Sequence, residues 1–477
     1  MYKYFNYKSG LLLGLCLMFA NCKVPKIIDS PTRMPVPESF ALARNRTDLT
    51  PLNWRVFFKD QDLQNLIDTA LARNQELQIT LQDLSVAKND ARVRQSLLLP
   101  AVNARLSAGL DKVGRYTSQG AGDATTDIAP GIETPEPLTD YAAVISANWE
   151  VDIWKKLRNS KKAALTRYLS TIEGKNFVLS NLVAEVANAY YELIALDTEL
   201  DIVRQNITVQ QNALEVVKVQ KEASRVTELA VQKFEAEVLK SQGLAFDISQ
   251  QVNETENKIN FLLGRYPTEI PRNKSTLSNA LAESMATGVP SQLLANRPDI
   301  KQAELDLLAA KLDVKVARAE FYPSFEISAN LGLQAFKPAY LFSFPESILY
   351  SLAGDLAGPL INRNAIKAEF SNANAKQIQA FYNYERTILN AYMQVSNQLS
   401  GIKNLEQRYD LKSRQVNALI KSTSLSNDLF RSARADYLEV LLTQRDVLEA
   451  KLELVETRKS QLNAAINIYK YLGGGWQ

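Results

Sequence analysis

The chain of 477 residues contains no histidine and only two cysteines. Histidine is the commonest general base and the commonest metal ligand of proteins, so its absence removes the usual catalytic and metal-binding groups. Both cysteines, Cys16 and Cys22, lie near the N-terminus, which excludes a disulfide framework or a cysteine-based zinc site in the body of the chain. We therefore expect no enzymatic activity, no metal site and no cofactor.

A concentrated basic patch is also missing. The formal net charge is only +3, and charges of both signs are mixed along the chain. Proteins that bind nucleic acid usually carry a basic patch or stripe, so we expect no nucleic-acid partner.

The N-terminal segment has the pattern of a secretory signal. Lys3 and Lys8 precede an apolar stretch of 11 residues, 10–20, which is too short to cross a membrane as a helix. Cys22 follows this stretch at the position where bacterial lipoproteins carry their lipidated cysteine. We predict a signal peptide at 1–21, lipidation of Cys22 and a proline-rich tether at 22–53. The alternative is an unlipidated signal that is cleaved nearby.

The remaining chain has the pattern of a duplicated unit. Val231 lies 33 residues before Gly264, and Val440 lies 33 residues before Gly473, within similar local sequences. We predict two copies at 54–266 and 298–477, joined by an equatorial connection at 267–297. Each copy has the pattern helix, strand, strand, helix, helix.

Polar and apolar residues alternate in four segments, about 101–116, 141–153, 324–335 and, less cleanly, 348–360. A period of two predicts strands with one apolar face, and these are long enough to cross a bilayer. Aromatic residues cluster near the strand ends, as at the interfaces of a membrane barrel: Tyr116, Tyr141, Phe336, Tyr340, Phe342 and Phe344. We favour membrane strands over the alternative, a soluble sandwich with one wet face.

Each copy also predicts one long helix, over 155–224 or about 365–432, which corresponds to about 100 Å. Two shorter helices, stacked end to end, match that length: 74–98 and 225–264 in the first copy, and 298–321 and 434–473 in the second. Four strands cannot close a membrane barrel, and lipid does not tolerate open strand edges. A chain that spans the membrane must therefore oligomerise, and three chains supply 12 strands.

Four strings resemble the outer-membrane factors of RND-type efflux pumps, the TolC-like proteins: Trp149-Glu150-Val151-Asp152-Ile153-Trp154, Asn296-Arg297-Pro298-Asp299-Ile300, Ala319-Glu320-Phe321-Tyr322-Pro323 and Leu472-Gly473-Gly474-Gly475-Trp476. The resemblance covers about 54–477. It implies a mainly α protein with membrane β, a homotrimer whose 12-stranded outer-membrane β-barrel is continuous with a long periplasmic α-helical barrel.

The resemblance also implies a function and partners. The trimer would sit in outer-membrane lipid and act as the exit duct of a tripartite efflux pump. Its partners would be a periplasmic adaptor (membrane fusion protein) and an inner-membrane RND pump. The alternative is a non-conducting periplasmic coiled-coil scaffold or adaptor, which explains the helices but not the strands.

The same resemblance assigns roles to the helix tips. Relatives often carry glycine at each tip turn, where this chain has serine or alanine. The implied adaptor-docking residues are Ser224, Arg225, Ala433 and Asp436. Glu439 falls where relatives narrow the periplasmic end with acidic side chains, which implies a gate with Arg434 as its partner. The alternative for Glu439 is an ordinary solvated helix face.

Overall fold

The computed structural model describes residues 25–27, 31–32, 35, 37, 53–277, 294–359, 363–432 and 434–476. The predicted signal peptide at 1–21, the predicted lipidation site Cys22 and the tip residue Ala433 lie outside the described residues. Most of the predicted tether and residues 278–293 of the predicted connection also lie outside them.

The chain folds into two compact units, and each unit draws on both sequence copies. The first contains Val86–Tyr168 and Leu305–Phe381, and the second contains Leu169–Glu304 and Tyr382–Gln477, with smaller N-terminal segments divided between them. The predicted duplication and the compact units therefore divide the chain at different places.

The first unit is built on an antiparallel sheet. In chain order the strands are β1 (Ala101–Asp111), β2 (Asp127–Ala129), β3 (Ile132–Glu133), β4 (Leu138–Glu150), β5 (Ser324–Ala335) and β6 (Ile348–Ala357). Four of them form one sheet in the order β1-β4-β5-β6, while β2 and β3 form a separate hairpin. In the described residues β1 and β6 each have one neighbour, so the sheet has two open edges.

Four strand boundaries differ from the prediction. β1 ends at Asp111 instead of 116, because its pairing with β4 ends where Asp111 faces Leu138. β4 correspondingly begins at Leu138 instead of 141, and it ends at Glu150 instead of 153. The early end arises because Asp152 leaves the strand and caps the following helix. β6 ends at Ala357, not 360, at the limit of its pairing with β5.

The helices are α1 (Trp54–Phe57), α2 (Gln61–Arg73), α3 (Gln75–Ser96), α4 (Ser118–Asp123), α5 (Lys156–Glu222), α6 (Glu228–Leu262), α7 (Pro298–Ala319), α8 (Asn364–Arg431) and α9 (Tyr437–Tyr471). The two long helices, α5 and α8, have 67 and 68 residues, and their hairpin partners α6 and α9 have 35 each. No helix among the described residues combines the length and the apolar character needed to cross a membrane.

The main apolar core of the second unit lies where α2, α5, α6 and α9 meet. Ile67 of α2, Ile194 of α5, Ile259 of α6 and Ile466 of α9 belong to one buried cluster. The Tyr190 hydroxyl of α5 donates a hydrogen bond of 2.9 Å to the carboxylate of Asp60, the N-cap residue of α2. This core holds the C-terminal parts of α6 and α9 against α5, because it buries apolar side chains from all four helices.

Candidate pore wall and helix-tip sites

One face of the four-stranded sheet is apolar and exposed. Ile145 of β4 faces Ala104 of β1 and Leu331 of β5, and Leu331 in turn faces Tyr350 of β6. The side chains of Leu331 and Tyr350 are 60% and 82% exposed. A continuous apolar surface of this kind needs an apolar cover, because soluble proteins rarely expose one.

Aromatic residues mark both ends of this apolar face. Tyr141 and Trp149 lie on the same face of β4 and are eight residues apart, which corresponds to about 27 Å along a strand and about 21 Å along the axis of a barrel with the usual tilt. The apolar band of a membrane barrel is about 25 Å tall and is flanked by aromatic girdles. Tyr116, Phe342 and Phe344, from the predicted girdle, have exposed side chains.

The opposite face of the sheet is polar. Asn103 of β1, Ser146 of β4, Asn330 of β5 and Ser351 of β6 form one cross-strand row on it. Arg105 lies two residues further along β1 on the same face and is exposed. An arginine at the lipid-facing midplane of a barrel costs about 2–4 kcal/mol, so the polar face is the one suited to water.

An acidic row crosses the end of the polar face. Glu150 of β4 faces Glu326 of β5, and Glu326 faces Asp355 of β6. Directly opposed like charges destabilise a sheet, and Lys156 offsets part of the charge, with its Nζ 2.6 Å from Glu150 Oε1. Sequence alternation places these residues on polar faces, but only the pairing register shows that the three carboxylates are neighbours.

Two of the family-like strings form the junctions between strands and helices in the first unit. Trp154 Nε1 donates to the carbonyl of Pro323 at 2.7 Å, and the Trp154 ring stacks on that of Tyr322 at 4.7 Å between centroids. Trp149 Nε1 donates to the carbonyl of Leu98 at 3.1 Å. The strings therefore join the end of β4 to the turns that precede β1 and β5.

Asp152, between β4 and α5, begins the long helix. Its carboxylate accepts hydrogen bonds from the backbone N–H groups of Leu157 and Arg158, at 2.9 and 3.0 Å, and from Arg158 Nε at 2.8 Å. Burial raises the pKa of Asp152, but the hydrogen bonds and the charge of Arg158 outweigh burial and hold the pKa below its ordinary value. The carboxylate therefore stays ionised at the helix N-terminus, where negative charge is favourable.

The Arg297-Pro298-Asp299 string forms a buried ion-pair network in the second unit. Arg297 is 5% exposed, and its Nη2 lies 2.7 Å from Asp299 Oδ2 and 3.0 Å from Gln394 Oε1. Its Nη1 donates to the carbonyl of Tyr471, the last residue of α9, at 3.1 Å. Helix termini leave such carbonyls without helical partners, so Arg297 caps α9.

Asn74 caps the corresponding helix, α6, in the first copy. Its Nδ2 donates to the carbonyl of Leu262, the last residue of α6, at 3.0 Å, while its Oδ1 accepts from the N–H of Leu77 at 3.0 Å. Gly264 and Gly473 follow the two capped helices with φ of +65° and +93°. A Cβ on Gly264 would lie 2.4 Å from Arg73 O, and one on Gly473 would lie 2.6 Å from Asn296 O.

The first helix tip is a tight turn between α5 and α6. Ser224 has a left-handed backbone with φ 56°, and the N–H of Arg225 donates to the carbonyl of Gln220 at 2.8 Å. Glycine adopts this conformation without strain, whereas serine has an energetic cost. Lys221 and Glu228 form an exposed ion pair of 2.5 Å across the turn. This hydrogen-bonded ion pair lowers the pKa of Glu228 and raises that of Lys221.

The second tip joins α8 to α9 and contains the predicted gate residues. The N–H of Arg434 donates to the carbonyl of Leu429 at 2.8 Å, the same separation of five residues as at the first tip. Asp436 is the N-cap of α9 but its side chain makes no capping hydrogen bond. Arg434 and Glu439 are both exposed, and within the described part of the chain no ion pair joins them.

The two hairpins share an apolar cluster near these turns. Val217 of α5, Phe234 of α6 and Val440 of α9 are each no more than 2% exposed and belong to one cluster. The predicted tip residues therefore lie beside helices that pack on one another. The sequence analysis did not predict this cluster or the capping roles of Arg297 and Asn74. For Arg297 a signal was present, because a proline directly after it is typical of a helix start.

A sheet with an exposed apolar face, aromatic ends and open edges, in a chain that also contains two long helical hairpins, defines an outer-membrane channel subunit. The chain belongs to the outer membrane efflux protein family, whose model matches residues 66–265 and 289–474. This confirms the predicted resemblance.

Relatives of known name cover nearly the full length of the chain. The pyoverdine export outer membrane protein OpmQ of Pseudomonas aeruginosa is 28% identical over 474 residues, which are 99% of this chain and 98% of that protein. The cation efflux system protein CusC of Escherichia coli O6:H1 is 25% identical over 474 residues, 98% of this chain and 99% of that protein.

Solved structures share the fold. A crystal structure of CusC superposes with a TM-score of 0.82 at 24% identity, covering 95% of this chain and 99% of that one. The open state of the Neisseria gonorrhoeae MtrE outer membrane channel superposes with a TM-score of 0.81 at 22% identity, covering 95% and 98%. The predicted fold class is thereby confirmed.

Proposed function

We propose that three copies of this chain form a passive duct across the outer membrane, the exit of a tripartite efflux pump. The observation that carries the proposal is the sheet with one exposed apolar face and open edges at β1 and β6. Three such sheets supply 12 strands, and β6 of one copy beside β1 of the next continues the antiparallel alternation. Every edge is then paired, as lipid requires.

Cross-linking between edge strands tests this closure. Asn103 of β1 and Ser351 of β6 lie in one cross-strand row. We expect the Asn103→Cys/Ser351→Cys variant, treated with a flexible bis-maleimide, to give a covalent trimer on a denaturing gel. The single variants serve as controls and give dimers at most. Stepwise conductance of the wild-type protein in planar bilayers tests the pore, and a water-soluble, non-conducting monomer would favour the scaffold alternative.

We further propose that the protein works with a periplasmic adaptor and an inner-membrane pump, and that it performs no chemistry of its own. OpmQ and CusC are named for export and efflux, and a passive duct draws its energy from such partners. The proposed adaptor contacts are the exposed tip residues Arg225 and Asp436, together with Ser224 and Ala433 of the predicted tips. A photo-cross-linker at either tip residue should capture the adaptor in cells, whereas one at Lys112, beyond the end of β1, should not.

The gate proposal concerns Glu439 and Arg434. Three Glu439 carboxylates around a narrow mouth would attract cations and would hold the mouth closed through Arg434 of neighbouring copies. Glu439→Gln should raise the conductance of the purified trimer. Glu449→Gln is the matched control, because Glu449 is an exposed glutamate of the same helix. Equal conductance in both variants would exclude Glu439 from the gate.

The proposed anchor is lipid on Cys22, with the helical hairpins in the periplasm. Metabolic labelling with palmitate should mark the wild-type protein and leave Cys22→Ser unlabelled. Both proteins should be found in the outer-membrane fraction, because the sheet by itself holds the protein in lipid. An unlabelled wild-type protein would favour the unlipidated signal.

A further inference from the structure

Arg105 is the charged residue at the middle of the polar face of the sheet. Between the row of Gly109 and Asp140 and the row of Asn148 and Ser328, the other described residues of this face are uncharged: Asn103, Ser107, Ala142, Val144, Ser146, Asn330, Gly332, Gln334, Leu349 and Ser351. A single cation in an uncharged surface dominates the local potential.

The Arg105 side chain is exposed, and among the described residues no carboxylate forms an ion pair with it. Its cross-strand partner is Val144, and its neighbours on the same face of β1 are Asn103 and Ser107. The guanidinium group is therefore available to a solute. Its planar fork of donors suits carboxylate and phosphate groups, which it binds through two parallel hydrogen bonds.

The cation is well separated from the acidic row of Glu150, Glu326 and Asp355. Val144 and Glu150 are six residues apart on β4, about 20 Å along a strand and about 15 Å along the axis of a barrel with the usual tilt. Charges are screened over about 8 Å at physiological ionic strength. Arg105 and this acidic row therefore act on a passing solute one after the other.

We propose that three Arg105 side chains, one from each copy, form a cationic belt inside the barrel. This belt binds the carboxylate or phosphate groups of anionic solutes as they pass through the duct. The inference rests on the proposed trimeric duct. The belt raises the local concentration of anions within the barrel, while the acidic row favours cations at its end.

Reversal potentials in a potassium chloride gradient across planar bilayers test the belt. Arg105→Gln should shift selectivity towards cations, Arg105→Glu should shift it further, and Arg105→Lys should stay near the wild type. Citrate should block the wild-type current, and its apparent Kd should rise at least fivefold in Arg105→Gln. Each variant is first checked for trimer formation, and Arg105→Gln suffices if Arg105→Glu does not assemble.

The matched control is Arg115→Gln, which removes one positive charge from a loop arginine. Arg115 already lies 3.8 Å from the Glu136 carboxylate, so its loss should leave selectivity and citrate block near the wild-type values. Unchanged reversal potential and citrate block in Arg105→Gln, with normal wild-type conductance, would overturn the belt alone. Absence of conductance in the wild type would overturn the duct and the belt together.

Discussion

The guanidinium group of Arg297 donates a hydrogen bond to the main-chain carbonyl of Tyr471 across 174 residues of sequence, with Nη1 and O 3.1 Å apart. It thereby ties the start of α7 to the end of α9. Asn74 ties the start of α3 to the carbonyl of Leu262 at the end of α6 in the same manner. The two copies thus use different side chains, an arginine and an asparagine, to donate a hydrogen bond to a carbonyl at the C-terminal end of a helix.

Loss of the Arg297 side chain should destabilise the protein strongly. Arg297→Ala leaves the half-buried Asp299 carboxylate and the Tyr471 carbonyl without their partner, and removing one member of a buried ion pair costs about 3–5 kcal/mol. Arg297→Lys keeps the charge but not the two-pronged geometry, so it should recover only part of the loss. Thermal unfolding of the purified trimer measures both, and a wild-type Tm for Arg297→Ala would contradict the role.

Glycine-to-alanine substitutions should have different effects on stability at two positions near one another in sequence, Gly264 and Gly243. At Gly264 the added Cβ would meet Arg73 O at 2.4 Å on a left-handed backbone, so Gly264→Ala should lower the Tm by several degrees. At Gly243, inside α6, no atom lies within 4 Å of the added Cβ. Gly243→Ala should therefore leave stability unchanged or raise it by about 1 kcal/mol. Equal effects at both sites would refute the close approach.

Gln210 of α5 should be replaceable by leucine with a gain in stability. The residue is 1% exposed, and neither polar atom of its amide has a hydrogen-bond partner among the described residues. Burial of an unpaired amide costs about 1–3 kcal/mol, so Gln210→Leu should raise the Tm. Gln211→Leu, at the adjacent exposed position, is the control and should not raise it.

Glu199 should make stability depend on pH near neutrality. The pKa of Glu199 is raised from 4.5 to about 7, mainly by burial; Lys459 partly counteracts burial, and the carboxylates of Glu456 and Glu192 add to the rise. A raised carboxyl pKa means that the folded state holds the proton more tightly. The resulting stabilisation is fully present below about pH 4.5 and is lost as the pH rises towards 7 and above.

Glu199→Gln should therefore flatten the pH profile of unfolding and stabilise the protein at pH 8 by about 2 kcal/mol. Unfolding midpoints between pH 5 and pH 8 measure the effect. Glu215→Gln is the control, because the Glu215 side chain on the same helix is 69% exposed. Parallel profiles for the wild type and Glu199→Gln would show that Glu199 titrates normally.

Local periodicity was sufficient to predict the long helices and the four long strands, but it did not predict α4 or the hairpin of β2 and β3. The first long helix was predicted over 155–224 and spans Lys156–Glu222, and the second was predicted over about 365–432 and spans Asn364–Arg431. Alternation also separated the apolar face from the polar face in three of the four long strands. These features depend on residues close in sequence, whose side chains repeat with the period of the backbone.

Which distant residues meet was decided only by the tertiary structure. The acidic row of Glu150, Glu326 and Asp355 depends on strand register, and the contact of Arg297 with Tyr471 depends on how α7, α8 and α9 pack. The amino-acid sequence by itself determined the long helices, the amphipathic strands and the family. Helices and strands follow from the local spacing of apolar residues, and the family follows from short sequence strings. Only the tertiary structure shows which residues pair with the buried polar groups, because their hydrogen bonds and ion pairs join segments that are distant in sequence.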